Sequence, residues 1–427
     1  MENGYHDVRG RARVVITGIG VISPVGHTGP ESWESLLNGR SGIGPITQFD
    51  PTGLPVTIAG EVKKFDPGKY MSFKEARRMS RASQLALAAA VMAVEDANLP
   101  QPFPDPERVG VLVGTGVGGF EVGASQLEIF NTKGFARVSP FAMTGFLANM
   151  PSHHVSVQFG TKGPISTVVA ACATGTQAIG EGVEMIRRGI ADTVLTGGVE
   201  GLIHVAAIAG FARMLALSTN YNDQPERASR PFDKDRDGFV LSEGAGILVL
   251  ERLDHAIERG AHIYAEVLGH ASSSDAFHVA APDPEAAGAV RAMRWAIDDA
   301  LLDIEDIDYI NAHGTATPVN DASETYAIKT LFGERAYEIP ISSSKSVMGH
   351  AMGATGAIEG IFCAYALQNG IIPPTWNYET PDPDCDLDYV PNAPRKADLR
   401  ITLSNSFGLG GQNACLVLGK YLNGKTE

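Results

Sequence analysis

Short runs of β-branched residues alternate along this chain with longer stretches in which apolar residues recur at helical spacing. Such alternation predicts an α/β fold built on parallel strands. The predicted strands cover residues 13–19, 109–114, 165–171, 193–197, 246–250, 263–268, 307–311, 339–343, 401–404 and 414–418. The predicted helices cover residues 80–97, 174–188, 285–301, 321–332 and 357–368. The first of these helices is largely apolar, which indicates that it is buried.

Two stretches of the chain echo each other, STVVAACATGTQAIG at 166–180 and ISSSKSVMGHAMGATGAIEG at 341–360. Each passes from a predicted strand through a reactive-looking residue to a glycine-rich helix start that carries Ala-Thr-Gly. This repeat predicts a duplicated α/β unit, with an N-terminal half over residues 1–260 and a C-terminal half over residues 261–427.

Composition narrows the class of protein. The chain has 427 residues and 44% of them are hydrophobic, so it can bury a large core. Its formal charge of 34 − 49 = −15 argues against general nucleic-acid binding, which depends on Lys and Arg at the phosphates. No apolar run reaches the roughly 18 residues that span a bilayer, and the first residues lack the apolar core of a signal peptide. We therefore expect a soluble cytoplasmic protein that binds neither membrane nor nucleic acid.

Three patterns that can indicate a metal or a cofactor are incomplete here. The glycine-rich stretch 114–119 follows a predicted strand but lacks the acidic residue expected about 20 positions further on in dinucleotide-binding folds. The stretch 233–238 resembles the start of a calcium loop, but Glu243 falls one position short of the twelfth, where the loop needs its glutamate. The pair His153 and His154 has no spaced carboxylate or cysteine. We expect no metal and no organic cofactor.

One cysteine and two histidines occupy positions that suit chemistry. Cys172 ends the apolar run 165–171 and precedes a predicted helix, whose N-terminus is expected to lower the pKa of the thiol below about 8.5. A buried structural cysteine is the commoner role for such a residue. His313 and His350 each follow a predicted strand, where sites of α/β proteins usually form. Together the three residues indicate a Cys–His nucleophile arrangement.

Five stretches, in this order and spanning nearly the whole chain, resemble the signature blocks of the β-ketoacyl-acyl-carrier-protein synthases, most closely the elongating type II enzymes. They are AACATGTQAIG, RPFDKDRDGFVLSEGAG, NAHGTATPVND, KSVMGHAMGATGAIE and NSFGLGGQN. The resemblance implies a thiolase-like fold, with duplicated α/β halves in a five-layer α-β-α-β-α sandwich, and a homodimer. It also implies a decarboxylative condensation of a Cys-bound acyl group with malonyl-acyl-carrier-protein (malonyl-ACP) in fatty-acid elongation.

The same resemblance implies a role for each catalytic residue. Cys172 would take the acyl group from acyl-ACP, and its backbone N–H would form an oxyanion hole with that of Phe407. His313 and His350 would hydrogen-bond the malonyl thioester while CO₂ leaves. Such donors aimed at developing negative charge make a strong base unnecessary. Lys345 would pair with Glu359 in a structural and electrostatic role.

Other positions match binding residues of that family. Thr315 and Thr317 would hydrogen-bond the pantetheine arm, and Val117 and Phe211 would line the acyl pocket. Leu409 stands where these enzymes usually carry a phenylalanine gate, so the gate is smaller here.

Two further groups of residues each have a simpler interpretation. Asp321 and Glu324 match family positions, but their spacing at a helix start also suits a capping box. A basic cluster formed by Lys74, Arg77 and Arg78 falls where family members meet the acidic carrier protein, although an ordinary solvated helix face would look the same.

Three alternatives share parts of this pattern. A ketosynthase of a type II polyketide pathway would use the same catalytic residues. A chain-length factor, a non-catalytic partner subunit, would lack the nucleophile that Cys172 supplies. A thiolase would need a second catalytic cysteine near the C-terminus, whereas Cys415 lies in an apolar strand pattern.

Overall fold

The structure is a computed structural model and describes residues 4–422. The strands are β1 (Val14–Ile22), β2 (Ile43–Pro45), β3 (Ile58–Gly60), β4 (Val109–Gly114), β5 (Ile165–Ser166), β6 (Thr193–Glu200), β7 (Gly244–Arg252), β8 (Ala265–Ser274), β9 (Tyr309–Asn311), β10 (Ile341–Ser342), β11 (Ile371–Ile372), β12 (Arg395–Lys396), β13 (Ile401–Gly408) and β14 (Gln412–Gly419). The α-helices are α1 (Gly29–Leu37), α2 (Phe73–Ala76), α3 (Arg81–Asp96), α4 (Phe120–Lys133), α5 (Ala142–Phe146), α6 (Met150–Phe159), α7 (Thr174–Arg187), α8 (Val205–Arg213), α9 (Leu253–Glu258), α10 (Ala287–Asp299), α11 (Pro318–Phe332), α12 (Lys345–Met348) and α13 (Thr355–Asn369). Short 3₁₀ turns precede two of these helices, Ala171–Ala173 before α7 and Met352–Ala354 before α13.

Ten strands form one sheet in the order β10-β9-β13-β14-β8-β1-β7-β6-β4-β5. This sheet consists of two groups of five strands, joined by a short antiparallel pairing of β1 with β8. Numbered along the chain within its own group, each group has the strand order first, fifth, fourth, second, third. The strand directions also agree, since two neighbouring pairs in each group are antiparallel and two are parallel. The shared topology confirms the predicted duplication of an α/β unit.

The expectation of parallel strands holds for only half of the neighbouring pairs, because each group contains two parallel and two antiparallel pairs. In the second group the reason is plain: β13 ends at Gly408 and β14 begins at Gln412. A connection this short can join only antiparallel neighbours.

Helices cover both faces of both strand groups. In β7, Ile247 and Val249 pack with α3, whereas Leu248 and Leu250 pack with α7 and α13. The second group is covered by α10 and α11 on its outer face, and α7 and α13 also contact its inner face. The order is therefore helices, sheet, α7 with α13, sheet, helices, which is the predicted five-layer sandwich.

The buried position predicted for the helix at 80–97 is confirmed for α3. This helix lies so close to β1 that a Cβ atom on Gly20 would come within 1.9 Å of the Ala89 carbonyl oxygen. Alanines on the helix and glycine on the strand thus allow the two backbones to approach.

The strand predicted at 165–171 is wrong for most of its length. Only Ile165 and Ser166 pair with β4, at the edge of the sheet. The chain then leaves the sheet, and Ala171 adopts a left-handed backbone with φ of 47°. This turn places Cys172 at the start of α7. No helix within residues 4–422 has the length and apolarity to cross a membrane.

Candidate active site

Cys172 lies in the 3₁₀ turn Ala171–Ala173 and is buried, with 6% of its surface exposed. The Thr174 hydroxyl fixes this turn, because it accepts a hydrogen bond from the Ala170 N–H at 2.8 Å and donates one to the Ala171 carbonyl at 2.7 Å. Each bond joins the first helical residue to the backbone just before it. The cysteine is therefore held at the N-terminus of α7, as predicted.

The predicted lowering of the Cys172 pKa is wrong for this resting site. Burial raises the pKa of the thiol to about 11, although the Leu409 N–H and the Lys345 charge act in the opposite direction. Desolvation disfavours the charged form of a buried group. At neutral pH Cys172 is a thiol, so its reaction as a nucleophile requires a nearby proton acceptor.

His313 follows β9 and is 3% exposed. Glu324 on α11 fixes the backbone here, since its two carboxylate oxygens accept hydrogen bonds from the N–H groups of His313 and Gly314, each at 2.8 Å. Burial raises the pKa of Glu324 to about 7, and these two N–H donors act against that rise. Glu324 therefore positions the loop that carries the first histidine.

The capping-box interpretation of Asp321 and Glu324 is wrong. Helix α11 begins earlier than predicted, and Thr317 caps it by accepting a hydrogen bond from the Asn320 N–H at 3.3 Å. Asp321 is fully buried and accepts a hydrogen bond from the Phe232 N–H at 2.8 Å. Both acidic residues therefore organise neighbouring loops.

His350 lies between α12 and the turn Met352–Ala354 and is 2% exposed. Its backbone N–H donates to the Val240 carbonyl at 2.8 Å. Its ring atom Nδ1 lies 3.0 Å from the Thr355 hydroxyl oxygen, and its Nε2 has no hydrogen-bond partner within residues 4–422. The ring is thus anchored on one side and free to bind a ligand on the other.

The structure brings Cys172, His313 and His350 together. The cysteine sulfur and one nitrogen of each histidine lie within 4.8 Å of one another, and the two imidazole rings are 5.4 Å apart at an angle of 84°. Burial, followed by the Lys345 charge, lowers the pKa of both histidines well below 6.5, so both are neutral at pH 7. Neutral imidazoles can accept the thiol proton or donate a hydrogen bond. Cysteine and histidine can also bind zinc, but the nearby Lys345 charge disfavours a dication.

Lys345 and Glu359 form a fully buried ion pair, with a distance of 2.6 Å between Nζ and Oε1. The Ser344 hydroxyl donates to the same oxygen at 3.1 Å. Burial raises the pKa of Glu359, and the Lys345 charge opposes that rise. The sequence predicted this pair from the resemblance, and its positive end acts electrostatically on both histidines.

A cavity of about 390 Å³ opens onto the three central residues. Its lining includes the predicted binding residues Phe211, Thr315, Thr317 and Leu409, together with Phe407, which was predicted for the oxyanion hole. The hydroxyls of the two threonines lie 3.1 Å apart. Val117 is 39% exposed and does not belong to this lining, so its place in the acyl pocket stays a prediction.

Glu200, at the end of β6, is a residue near the site that the sequence reasoning missed. It is fully buried, and it accepts hydrogen bonds from the Thr115 hydroxyl at 3.0 Å, the Gly116 N–H at 2.9 Å and the Gly353 N–H at 3.0 Å. Burial raises its pKa to about 7. It ties the loop after β4 to the turn before α13. A glutamate that ends an apolar strand was the signal available in the sequence.

The predicted docking residues lie on the surface, outside the cavity lining. Lys74, Arg77 and Arg78 are all exposed at α2 and just after it. The Arg78 guanidinium lies 4.4 Å from the centre of the Phe141 ring. The cluster is thus available to a partner.

The duplicated five-layer fold and the buried Cys–His–His centre define a thiolase-like protein. Family profiles match two parts of the chain, "Beta-ketoacyl synthase, N-terminal domain" at residues 11–256 and "Beta-ketoacyl synthase, C-terminal domain" at residues 264–379. The chain belongs to the β-ketoacyl synthase family.

Curated relatives extend along nearly the whole chain. A Synechocystis sp. protein named 3-oxoacyl-[acyl-carrier-protein] synthase 2 is 47% identical over 411 residues, which are 96% of this chain and 99% of the relative. A Staphylococcus aureus protein of the same name is 48% identical over 412 residues, 96% of this chain and 98% of the relative.

Solved structures are similar over the same extent. The ishigamide ketosynthase/chain length factor has a TM-score of 0.91 and 41% identity, and a β-ketoacyl synthase from Burkholderia phymatum has a TM-score of 0.90 and 35% identity. A ketosynthase in complex with its type II polyketide acyl-carrier protein has a TM-score of 0.89 and 35% identity. Each match covers 96% of this chain and 100% of the other.

Proposed function

We propose that this protein is a 3-oxoacyl-ACP synthase that elongates fatty acids. It condenses a Cys172-bound acyl group with malonyl-ACP and releases 3-oxoacyl-ACP, CO₂ and free ACP. The observation that carries the proposal is the group of one thiol and two neutral imidazoles, within 4.8 Å of one another, at a cavity. The curated relatives with this activity in their names, at 47% and 48% identity, support it. A cytoplasmic location, where carrier-bound substrates are made, belongs to the same proposal.

The first half-reaction loads Cys172. A neutral imidazole takes the thiol proton, the sulfur attacks the acyl-ACP thioester carbon, and the carrier thiolate leaves with that proton. We assign the transient oxyanion to the backbone N–H of Cys172 and, as the resemblance implies, to that of Phe407. Gly408 suits this role, since a Cβ atom there would lie 3.2 Å from the Cys172 nitrogen and crowd the hole. The Leu409 N–H, which already acts on the thiol, is available as a further donor.

The second half-reaction forms the carbon–carbon bond. The malonyl carboxylate leaves as CO₂, and its electron pair passes into an enolate whose oxygen accepts hydrogen bonds from His313 and His350. The enolate carbon attacks the Cys172 acyl carbon, and the cysteine sulfur is the leaving group. The buried Lys345 adds a positive field that favours the enolate and is held in place by Glu359.

The cavity lining supplies the binding contacts of this proposal. Thr315 and Thr317 present hydroxyls to the pantetheine arm, and Phe211 provides an apolar wall for the acyl chain. Leu409, beside the oxyanion hole, serves as the gate between acyl and malonyl sites.

The acidic carrier docks, in this proposal, on Lys74, Arg77 and Arg78. A chain with a formal charge of −15 needs such a local positive patch to attract an acidic partner. We expect the double variant Arg77→Glu/Arg78→Glu to raise the KM for acyl-ACP at unchanged kcat. Arg40→Glu, at another exposed site, should leave both KM and kcat unchanged. An unchanged KM at low salt would remove this surface from the proposal.

We also propose a homodimer. Strand β5 is an open edge of the sheet, and the neighbouring face carries exposed apolar side chains, among them Leu127 at 62%, Phe135 at 84% and Val157 at 65%. Large exposed apolar patches mark interfaces, and an open edge can pair with a second copy. Light scattering should give twice the 45.2 kDa chain mass, and Phe135→Asp should shift the protein toward monomer. A monomeric wild type would contradict this assembly.

We place the boundary between the two halves at residues 260 and 261, between α9 and β8. The halves share α7 and α13 as a common central layer, so they form one folding unit rather than two separable domains. Proteolysis should therefore nick exposed loops before it separates residues 1–260 from 261–427. Release of a stable half would contradict that interpretation.

A second candidate is a ketosynthase of a type II polyketide pathway. It is supported by the similarity to ketosynthases of that kind at 41% and 35% identity. The two functions differ in product, because a polyketide enzyme adds malonyl units repeatedly without reduction between additions. Product analysis with excess malonyl-ACP and no reductase separates them.

Intact-mass spectrometry after mixing the protein with palmitoyl-ACP tests the main proposal, with Cys172→Ala as control. The expected result is a gain of one acyl group on the wild type alone, discharged by malonyl-ACP with release of 3-oxoacyl-ACP. No acylation with short, medium or long donors would overturn the proposal and indicate a non-catalytic partner subunit of the chain-length-factor kind.

A further inference from the structure

Two threonines occupy equivalent places in the duplicated fold. Thr174 is the first residue of α7 and Thr355 the first residue of α13, and each follows a 3₁₀ turn. Thr174 bonds the backbone of its own turn, at Ala170 and Ala171. Thr355 instead directs its hydroxyl to a side chain, Nδ1 of His350, at 3.0 Å. The same residue at the same fold position has therefore taken a different partner in the half that carries the histidines.

The direction of this hydrogen bond decides which nitrogen of His350 carries the proton. If Nδ1 donated, the Thr355 hydroxyl would need another acceptor, but it forms no other hydrogen bond among residues 4–422. Thr355, 1% exposed, has no access to solvent for that purpose. If the hydroxyl donates to Nδ1, its proton is satisfied and the imidazole proton must reside on Nε2.

The other side of the ring is open to a substrate. Nε2 of His350 is buried and has no partner within the described residues. A buried polar atom left unpaired is costly whether it donates or accepts, so proteins rarely keep one without a reason. A substrate oxygen that becomes negative during reaction would supply the missing acceptor.

We propose that Thr355 is a positioning residue that holds His350 in the tautomer protonated on Nε2, so that this N–H is ready for the enolate oxygen. The inference rests on the proposed condensation and deepens it by assigning different roles to the two histidines. A donor fixed at His350 Nε2 cannot also take the thiol proton, so that role passes to His313. The Nδ1 atom of His313 has no hydrogen-bond partner within residues 4–422, so His313 is not fixed in one tautomer and can accept the thiol proton in the first half-reaction and donate to the enolate in the second. Thr355 therefore serves decarboxylation and is not needed to load Cys172.

Three variants test the assignment. Thr355→Val keeps the size of the side chain and removes the hydroxyl, and Thr355→Ser restores the hydroxyl. As a control, Thr17→Val removes another buried threonine hydroxyl, which is bonded to Glu251 and does not line the cavity. The assays are the rate of Cys172 acylation by palmitoyl-ACP and the rate of CO₂ release from malonyl-ACP. Melting temperatures report folding.

The expected result is a loss of about tenfold in CO₂ release for Thr355→Val, the scale of one hydrogen bond at a reacting group. Acylation should stay within about twofold, and Thr355→Ser should recover most of the loss. Thr17→Val should change neither rate. Equal loss of both rates, no loss of CO₂ release, or no recovery with Ser would each overturn the inference.

Nuclear magnetic resonance of ¹⁵N-histidine-labelled protein gives a readout independent of turnover. The His350 signals, identified by their absence in His350→Gln, should show a proton on Nε2 in the wild type and a mixture of tautomers in Thr355→Val. A wild type with the proton on Nδ1 would overturn the inference even if the enzyme is active. A wild type with the Nε2 proton but no acylation or CO₂ release would overturn the condensation and leave the role of Thr355 in setting the tautomer standing.

Discussion

Removing one partner of the buried pair Lys345–Glu359 should damage the protein more than removing both. Each side chain is fully buried, and their charged atoms are 2.6 Å apart. In Glu359→Gln the ammonium of Lys345 remains in the interior without a counter-charge. In Lys345→Met the carboxylate of Glu359 loses its counter-charge and keeps only neutral side-chain donors, among them the Ser344 hydroxyl.

The size of the effect follows from this geometry. At 2.6 Å and an effective dielectric constant of about 20, Coulomb's law gives an attraction of about 6 kcal/mol. That attraction offsets a desolvation cost of several kcal/mol for each ion. Each single variant loses the attraction and keeps one desolvated charge, so its free energy of unfolding should fall by about 3–5 kcal/mol. The double variant carries neither charge, so it should lose less than either single variant and therefore at least about 3 kcal/mol less than the sum of the single losses.

Urea unfolding of the wild type, both single variants and the double variant measures this coupling. Purely additive losses, or single losses below about 1 kcal/mol, would refute the reasoning, because the pair would then behave like an exposed one. The pH dependence of CO₂ release gives a second readout. The Lys345 charge helps to lower the pKa of both histidines, so Lys345→Met should raise those pKa values and move the acid limb of the profile to higher pH.

Three further outcomes follow from the site and its surroundings. The alkylation rate of Cys172 by iodoacetamide should keep rising above pH 9, because burial raises the thiol pKa to about 11; a plateau near pH 8 would contradict this. Leu409→Phe should slow acylation by palmitoyl-ACP more than by hexanoyl-ACP, since it narrows a cavity of about 390 Å³; equal slowing would refute a gating role. Although burial raises the pKa of Glu251, hydrogen bonds from His255 and Arg259 bring it down to about 2, so stability is retained above about pH 4.5 and lost as pH falls toward 2. Unfolding midpoints of Glu251→Gln should depend less on pH across that window.

Local pattern singled out the three central residues because Cys172 ends an apolar run, and His313 and His350 follow predicted strands inside distinctive motifs. Cys172, His313 and His350 could be placed near strand or helix ends from local pattern alone. Their mutual proximity came from the resemblance, since local pattern does not say which loops meet. The pKa of Cys172 is raised and not lowered as predicted. The sequence indicated the helix N-terminus, which lowers the pKa, but not the burial of the thiol, which raises it.

Glu200 and Val117 show that local sequence pattern cannot predict contacts between distant parts of the chain or the surface that a side chain faces. The role of Glu200 depends on N–H groups at Gly116 and Gly353, which are far apart in the chain and unremarkable in sequence. Val117 matches a family pocket position, but the lining of the cavity of about 390 Å³ does not include it, and local pattern does not say which surface its side chain faces. The mixed strand directions likewise depend on which strands become neighbours, which is a property of the whole sheet.

The repeated Ala-Thr-Gly has a physical reason that links the duplication to the chemistry. A Cβ atom on Gly175 would come within 2.6 Å of the Ala357 nitrogen, and one on Gly356 within 2.2 Å of the Thr176 hydroxyl oxygen. The two glycines therefore let the first turns of α7 and α13 touch. Since Cys172 precedes one helix and the His350 loop precedes the other, this contact carries the nucleophile and a hydrogen-bond donor to one point. The repeated Ala-Thr-Gly motif is thus more than a trace of duplication. Its two copies form the contact that assembles the site across the two halves.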